Sequence, residues 1–256
     1  MLEKNKIYKI DCLEGMKLIA DKSIDMILCD LPYGTTHCSW DIIIPFDKLW
    51  KEYERIIKDN GAIVLTASQS FTTKLIISNF KLFRYEWIWK KNTCTGFQNA
   101  KKMPLKAHEN ICIFYKHLPT YNPQGLVRID KRIKAKPTKG GRILLGDDYS
   151  RVSALNKDYT QEFQNYPKSI LEINKESYNI HPTQKPVELF EYLVRTYTNE
   201  NELVLDNCMG SATTAIACIN SNRNYIGFET DEKYFELANE RITDYINKRN
   251  GDVNNE

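Results

Sequence analysis

The sequence predicts an α/β protein whose mostly parallel, twisted sheet is covered by helices on both faces. Three observations carry this expectation. Apolar runs such as Asp25–Cys29 and Ala62–Thr66 read as buried strands. Segments of helical period stand between them, giving a βα alternation as far as residue 116. A chain of 256 residues with 42% hydrophobic content suits one such domain carrying an insertion, or two small domains.

The elements follow in order. Ile7–Ile10 reads as a strand, Leu13–Ala20 as a short helix and Asp25–Cys29 as a strand. Phe46–Lys58 has its apolar positions at Leu49, Tyr53, Ile56 and Ile57, the spacing of a helix. A strand over Ala62–Thr66 is expected to start after the turn signal Asn60-Gly61. Phe71–Asn79 reads as a helix, and Tyr85–Trp89 and Ile111–Tyr115 as strands. From Pro119 to Ile180 the apolar period gives way to Tyr, Asn, Pro, Gly and Lys, with no sign of a second core. Regularity returns with a helix over Pro186–Tyr197, a strand over Glu202–Leu205 and a helix over Thr213–Asn220. A strand over Tyr225–Phe228 and a closing helix over Glu232–Lys248 complete the pattern. The domain is therefore expected in two pieces, 1–118 and 181–249, around an insertion at 119–180, with 250–256 as a frayed tail.

Composition narrows the functional classes. No apolar run approaches the ~20 residues that cross a bilayer, and the first residues do not read as a signal peptide. Seven scattered cysteines with no Cys-x-x-Cys pair argue against a disulfide framework or zinc site and for a reducing cytoplasm. His37 and Cys38 alone do not make a metal site, so no metal is expected. The net charge is +3, but residues 126–142 carry +6 and the rest −3. Such a cationic stretch suits phosphate contacts, although a solvated loop has the same composition.

Three motifs carry chemistry. Asp30-Leu31-Pro32-Tyr33 ends a buried strand abruptly. Asp and Pro often stop strands, but an acid and an aromatic at that edge also suit a ligand site. A second motif is a strand ending in Asp206, a loop with Gly210 and Ser211, and a helix from Thr213, with Glu229 ending the next strand. A small-residue turn lets backbone approach a ligand, and an acid about 20 residues on accepts from ribose hydroxyls. The loop lacks the glycines or Lys-Ser/Thr pair of a phosphate site, so an adenosyl group without pyrophosphate fits better. The third motif, His181-Pro182-Thr183-Gln184-Lys185-Pro186, opens a helix, with Thr183 as a candidate cap and Pro186 in its first turn.

Together, in this order, these motifs resemble the beta group of DNA amino-methyltransferases, which methylate adenine N6 or cytosine N4 from S-adenosylmethionine. The stretch from Thr95 to Gln124 also resembles phage-associated and restriction-system members. The resemblance implies a Rossmann-like methyltransferase fold with circularly permuted motif order, the catalytic motif first, a target-recognition insertion at 119–180 and the cofactor loop last. It further implies that Asp30 and the Leu31 carbonyl accept from the target amine, that Pro32 stiffens the turn and that Tyr33 stacks on a flipped base. Asp11 and Cys12 would hold the cofactor's adenine and Glu229, with Thr230 beside it, its ribose. Gly210, Ser211 and Thr213 would line the methionine end, and Asp30, His181, Thr183, Gln184, Lys185, Asp206, Asn207, Cys208 and Thr214 complete the expected cofactor contacts. Tyr121, Arg128, Lys131, Arg132, Lys136 and Arg142 are candidates for DNA contact, mostly to phosphate. A homodimer is compatible with the resemblance.

Departures from the family pattern are specific. Leu31 replaces a proline, Asn207 another, and Ala212 a second glycine, which adds a methyl and disfavours φ > 0. Trp87 and Trp89 could stack on bases, but their alternation along a strand favours core packing; Phe97 is a third candidate. Trp40-Asp41 reads as part of a loop closing on the target. Adenine N6 is the expected target. Cytosine N4, and a binding protein of the same fold without catalysis, remain alternatives.

Overall fold

The computed structural model describes residues 2–36, 38, 41–133, 158–174 and 184–253. The chain divides into two units, residues 1–122 with 168–256, and residues 123–167. In the larger unit the first five strands are β1 (Lys6–Lys9), β2 (Ile24–Asp30), β3 (Ile57–Ala67), β4 (Phe83–Thr95) and β5 (Lys106–Phe114). The smaller unit is an antiparallel ribbon of β6 (Val127–Ile133) and β7 (Tyr159–Gln164). Three further strands, β8 (Ile170–Glu172), β9 (Leu203–Asp206) and β10 (Asn224–Glu229), belong to the larger unit. Its helices are α1 (Cys12–Lys17), α2 (Phe46–Ile56), α3 (Phe71–Ser78), α4 (Val187–Tyr197), α5 (Thr213–Asn220) and α6 (Glu232–Val253).

The eight strands order as β1-β10-β9-β2-β3-β5-β4-β8. Only β5 runs antiparallel to its neighbours, so the sheet is mostly parallel as predicted. Successive strand residues point to opposite faces, and the core divides accordingly. Met26, Leu28, Val64 and Val204 pack with α4, α5 and α6, whereas Ile27, Cys29, Leu65 and Leu205 pack with α1, α2 and α3. Both faces are therefore covered. Trp87 and Trp89 are buried in the first of these clusters, their indole N–H groups donating to Tyr197 Oη and the Ile173 carbonyl.

Four details differ from the expectations. Asn60-Gly61 is no turn but lies inside β3. A Cβ at Gly61 would sit 2.8 Å from the Asp25 carbonyl and 2.7 Å from Ile57 Cδ1, so the glycine serves close approach of β2 to β3. Helix α6 continues to Val253 rather than fraying from 250, and Arg249 donates to the Ile219 carbonyl at 2.8 Å along that stretch. Strands β6, β7 and β8 lie where no period was visible. Residues of β6 and β7 are exposed or half-buried throughout, so the ribbon buries no apolar face and writes no alternation into the sequence. The unit boundaries fall at 122/123 and 167/168 because β8 pairs with β4 and belongs to the main sheet.

Adjacency of β9 and β2 joins the two pieces of the larger unit. Asp25 fastens them: Oδ2 accepts from the Leu203 backbone N–H at 2.9 Å, and Oδ1 pairs with Lys58 Nζ at 2.5 Å. Asp25→Ala leaves a half-buried N–H and an ammonium without this partner. It should lower unfolding stability by about 1–3 kcal/mol in denaturant titration, with an unchanged denaturant slope.

Candidate functional site

Strands β1, β10, β9 and β2 run parallel, so their carboxyl ends share one edge. The order of connection reverses between β9 and β2, where open α/β sheets leave a crevice. Asp11, Asp30, Asp206 and Glu229 all stand at this edge and line a cavity of about 770 Å³.

Asp206 is 2% exposed, and burial pushes its carboxyl up to about 6. Hydrogen bonds from the Thr214 hydroxyl and the Cys208 backbone N–H (3.0 Å) oppose that shift. The loop between β9 and α5 is held from several sides. Gly210 N–H donates to Glu229 Oε2 at 2.8 Å, Met209 N–H to the Phe228 carbonyl at 2.8 Å, and Arg241 to the Ser211 carbonyl at 2.7 Å. Asn207, standing where proline was expected, accepts from the buried Tyr53 hydroxyl. Gly210 has φ 51° and Ala212 φ 63°, so the alanine keeps the left-handed turn that glycine would supply. An L-residue there costs about 1–2 kcal/mol, and Ala212 is fully buried. Glu229 Oε1 also accepts from Thr230 and Asp231 N–H at 2.9 Å, a carboxylate already aimed and stiffened.

Asp11 caps α1, its Oδ1 accepting from Leu13 N–H at 2.9 Å and Glu14 N–H at 3.2 Å. The neighbouring Cys208 thiol and burial push the Cys12 thiol up, and burial pushes Cys29 up to about 12. Cys12 is a neutral wall of the cavity and Cys29 lies buried behind it in the core, so neither is a nucleophile. With backbone turns, fixed carboxylates and uncharged sulfur on its walls, the β1–β10–β9 edge fits an adenosyl ligand without a phosphate. Asp11, Cys12, Gly210, Ser211 and Glu229 could hold one.

At the neighbouring edge, Asp30 Oδ1 accepts from the Tyr33 hydroxyl at 2.8 Å and from the Thr66 hydroxyl, while Oδ2 meets Lys185 Nζ at 2.6 Å. Tyr33 stacks on Phe71, with ring centroids 5.0 Å apart. Burial and the Asp30 charge push its hydroxyl well above the usual phenol range, so it stays a donor. Leu31 is 4% exposed and packs in the core. Lys185, expected among the cofactor contacts, lines the cavity and directs its ammonium at Asp30 and Glu109. Asp41 accepts from the Gly34, Thr35 and Thr36 N–H groups at 2.7–2.8 Å and so pins the loop after Tyr33. Burial would raise its carboxyl, but these donors hold it below the usual range.

The structure brings Asp11, Cys12, Asp30, Leu31, Pro32, Tyr33, Gln184, Lys185, Asp206, Asn207, Cys208, Gly210, Ser211, Thr213, Thr214, Glu229 and Thr230 to one cavity. Tyr121 lies in the larger unit, its ring 6.1 Å from that of Tyr197. Arg128, Lys131 and Arg132 are exposed on β6, with Arg128 paired to Asp130 and Arg132 to Asp158. Phe97 is exposed. His37, Trp40, Lys136, Arg142, His181 and Thr183 lie outside the described residues. Sequence reasoning missed Thr66, Lys91, Glu109 and Arg241. Only Thr66 left a signal, as a hydroxyl ending an apolar run beside the run that ends in Asp30.

Comparisons with known proteins identify the family and the fold. The family model described as DNA methylase matches residues 24–240. Type II methyltransferase M1.MboII of Moraxella bovis is 27% identical over 93% of this chain and 96% of its own length. DNA adenine methyltransferase YhdJ of Escherichia coli K12 is 26% identical over 94% of this chain and 83% of its own. The solved structure of PvuII DNA methyltransferase (cytosine-N4-specific) shares the fold, with a TM-score of 0.66 and 17% identity over 97% of this chain and 93% of that one.

The raised carboxyl of Asp206 has a measurable consequence. Between the ordinary value of 3.8 and about 6 the unfolded chain releases a proton that the folded protein keeps, so stability falls as pH rises through that window. The stability of the native chain relative to Asp206→Asn should therefore drop by about 3 kcal/mol from pH 3.5 to 7 and level off above. Chemical unfolding at stepped pH measures it.

Proposed function

The chain belongs to the DNA methylase family, and from that premise we propose that it methylates N6 of adenine in DNA, on a base flipped out of the duplex. The observation that carries this reading is Asp30, held at the carboxyl end of β2 beside the loop between β9 and α5. S-adenosylmethionine supplies the methyl group on a positively charged sulfur that leaves as a neutral thioether, so no metal is required.

The chain's task is to make a poor nucleophile reactive. The lone pair of an exocyclic amine is delocalised into the base. Two acceptors, Asp30 and the Leu31 carbonyl, draw the amine toward tetrahedral geometry and aim its lone pair. A carboxylate offers about four acceptor positions, and Tyr33, Thr66 and Lys185 fill three on Asp30. One is left for the amine. The Tyr33 ring, braced by Phe71, is the platform on which the base stacks. Asp11 and Glu229 hold the adenosine end of the cofactor, and the loop from Cys208 to Thr213 its methionine end. Adenine rather than cytosine is supported by the acid at position 30, where cytosine-N4 enzymes more often carry serine, and by the likeness to YhdJ. Arg128, Lys131 and Arg132, on the exposed ribbon, grip DNA phosphate, as their charge and exposure suit.

Incubation with duplex DNA and S-adenosylmethionine, followed by nucleoside mass spectrometry, should yield N6-methyladenine. N4-methylcytosine would overturn the choice of base. Asp30→Ala should lower the single-turnover rate by about a thousandfold or more, with cofactor affinity changed less than about threefold. Replacing Arg128, Lys131 and Arg132 by Gln should weaken DNA binding about equally across sequences and flatten its salt dependence by about one unit per lost phosphate contact.

A further inference from the structure

Asp30 is not held by its own motif alone. Lys185 is 6% exposed at its side chain, and its Nζ lies 2.6 Å from Asp30 Oδ2 and 3.3 Å from Glu109 Oε2. Lys91, 5% exposed, lies 2.8 Å from Glu109 Oε1. Two buried cations and two carboxylates thus alternate in one line, drawn from β2, the segment before α4, β5 and β4. Burial alone would raise Glu109, but Lys185 and Lys91 hold its carboxyl below the usual range. Burial would likewise lower Lys185, but Asp30 and Glu109 hold it charged.

Neutralising Asp30 would need only one cation, and burying a second pair is costly in itself. Geometry gives the rest of the line a purpose. A lysine ammonium is a point charge on a flexible stem, and one carboxylate does not fix where it sits. Glu109 supplies a second anchor. Its Oε2 is buried and makes no hydrogen bond of normal geometry, so the Lys185 charge is what faces it. Lys91 holds the other oxygen of Glu109. The Tyr33 ring, 5.7 Å from Nζ, is a third contact on Lys185. The Lys185 main chain is tied as well: its carbonyl accepts from the Thr213 hydroxyl at 3.3 Å, at the first residue of α5.

Resting on the function proposed above, we propose that Lys185, Glu109 and Lys91 form a positioning relay for Asp30. Lys185, steered by Glu109 and Lys91, holds one acceptor position of Oδ2, while Tyr33 and Thr66 fill Oδ1, so that the remaining position on Oδ2 keeps a fixed aim at the target amine. Lys185 and Glu109 are positioning residues that act through Asp30. They set the rate of transfer and not the affinity for the cofactor.

The full-length chain tests this with Lys185→Met, Glu109→Gln and the double variant, each checked for folding by circular dichroism. Cofactor affinity comes from calorimetry with S-adenosylmethionine, and transfer from single-turnover methylation of duplex DNA. A misplaced reacting group costs on the order of 100-fold, so Lys185→Met should slow transfer by about 100-fold and Glu109→Gln by about 10-fold, with cofactor affinity within about threefold of native. The double variant should be no slower than Lys185→Met, since Glu109 works through Lys185. Cofactor affinity falling as far as the rate, effects that multiply, or unchanged rates would overturn the relay. The Asp30 side-chain carboxyl ¹³C resonance, read without DNA or cofactor, gives an activity-free answer. Displacement by Glu109→Gln supports the relay, and an unmoved resonance refutes it. A native chain that methylates no DNA would overturn the proposed function, and this resonance then decides the relay by itself.

Discussion

Everything at the site depends on two strands from distant parts of the chain lying side by side. Because β9 pairs with β2, Asp206 and Asp30 reach the same edge of the sheet, one per strand. The parallel register of β10 and β1 adds Glu229 and Asp11 along that edge. No single stretch of sequence holds a complete site. Two half-sites meet, and Asp25 fastens the seam at the other end of the strands.

Each half meets the cost of buried charge differently. Asp206 is surrounded by hydroxyl, backbone N–H and neutral thiols, and its carboxyl rises. Asp30 lies in a line of alternating charges that cancel. The carboxylate proposed to aim at a reacting amine must be held still, and Tyr33, Thr66 and Lys185 hold Asp30 from three directions. The loop between β9 and α5 shows the same economy, since Ala212 takes a strained left-handed turn that Glu229, Arg241 and the sheet hold in place.

Much of the fold was legible because buried parallel strands write uninterrupted apolar runs. The register was not, since Asn60-Gly61 carries the signal of a turn while Gly61 serves close packing of β2 on β3. The ribbon of β6 and β7 was illegible because neither face is buried. At the site, Asp30, Tyr33, Asp206 and Glu229 were readable as residues ending apolar runs. Glu109 and Lys91 were not, for their meaning comes only from pairing across β4 and β5 with a lysine from the far piece of the chain. Lys185 was found by its motif, but its pairing with Asp30 and Glu109 was not, since a motif names residues and not the direction in which they point.

The central claim is that the cofactor occupies the carboxyl edge shared by β1, β10 and β9, next to Asp30. Hydrogen exchange of the full chain, with and without saturating S-adenosylmethionine, tests it most directly. Slowed exchange is predicted over residues 10–14, 206–214 and 228–231, with residues 123–133 and 158–167 unchanged. Cofactor binding accompanied by protection confined to the ribbon, or absent from the loop between β9 and α5, would contradict it.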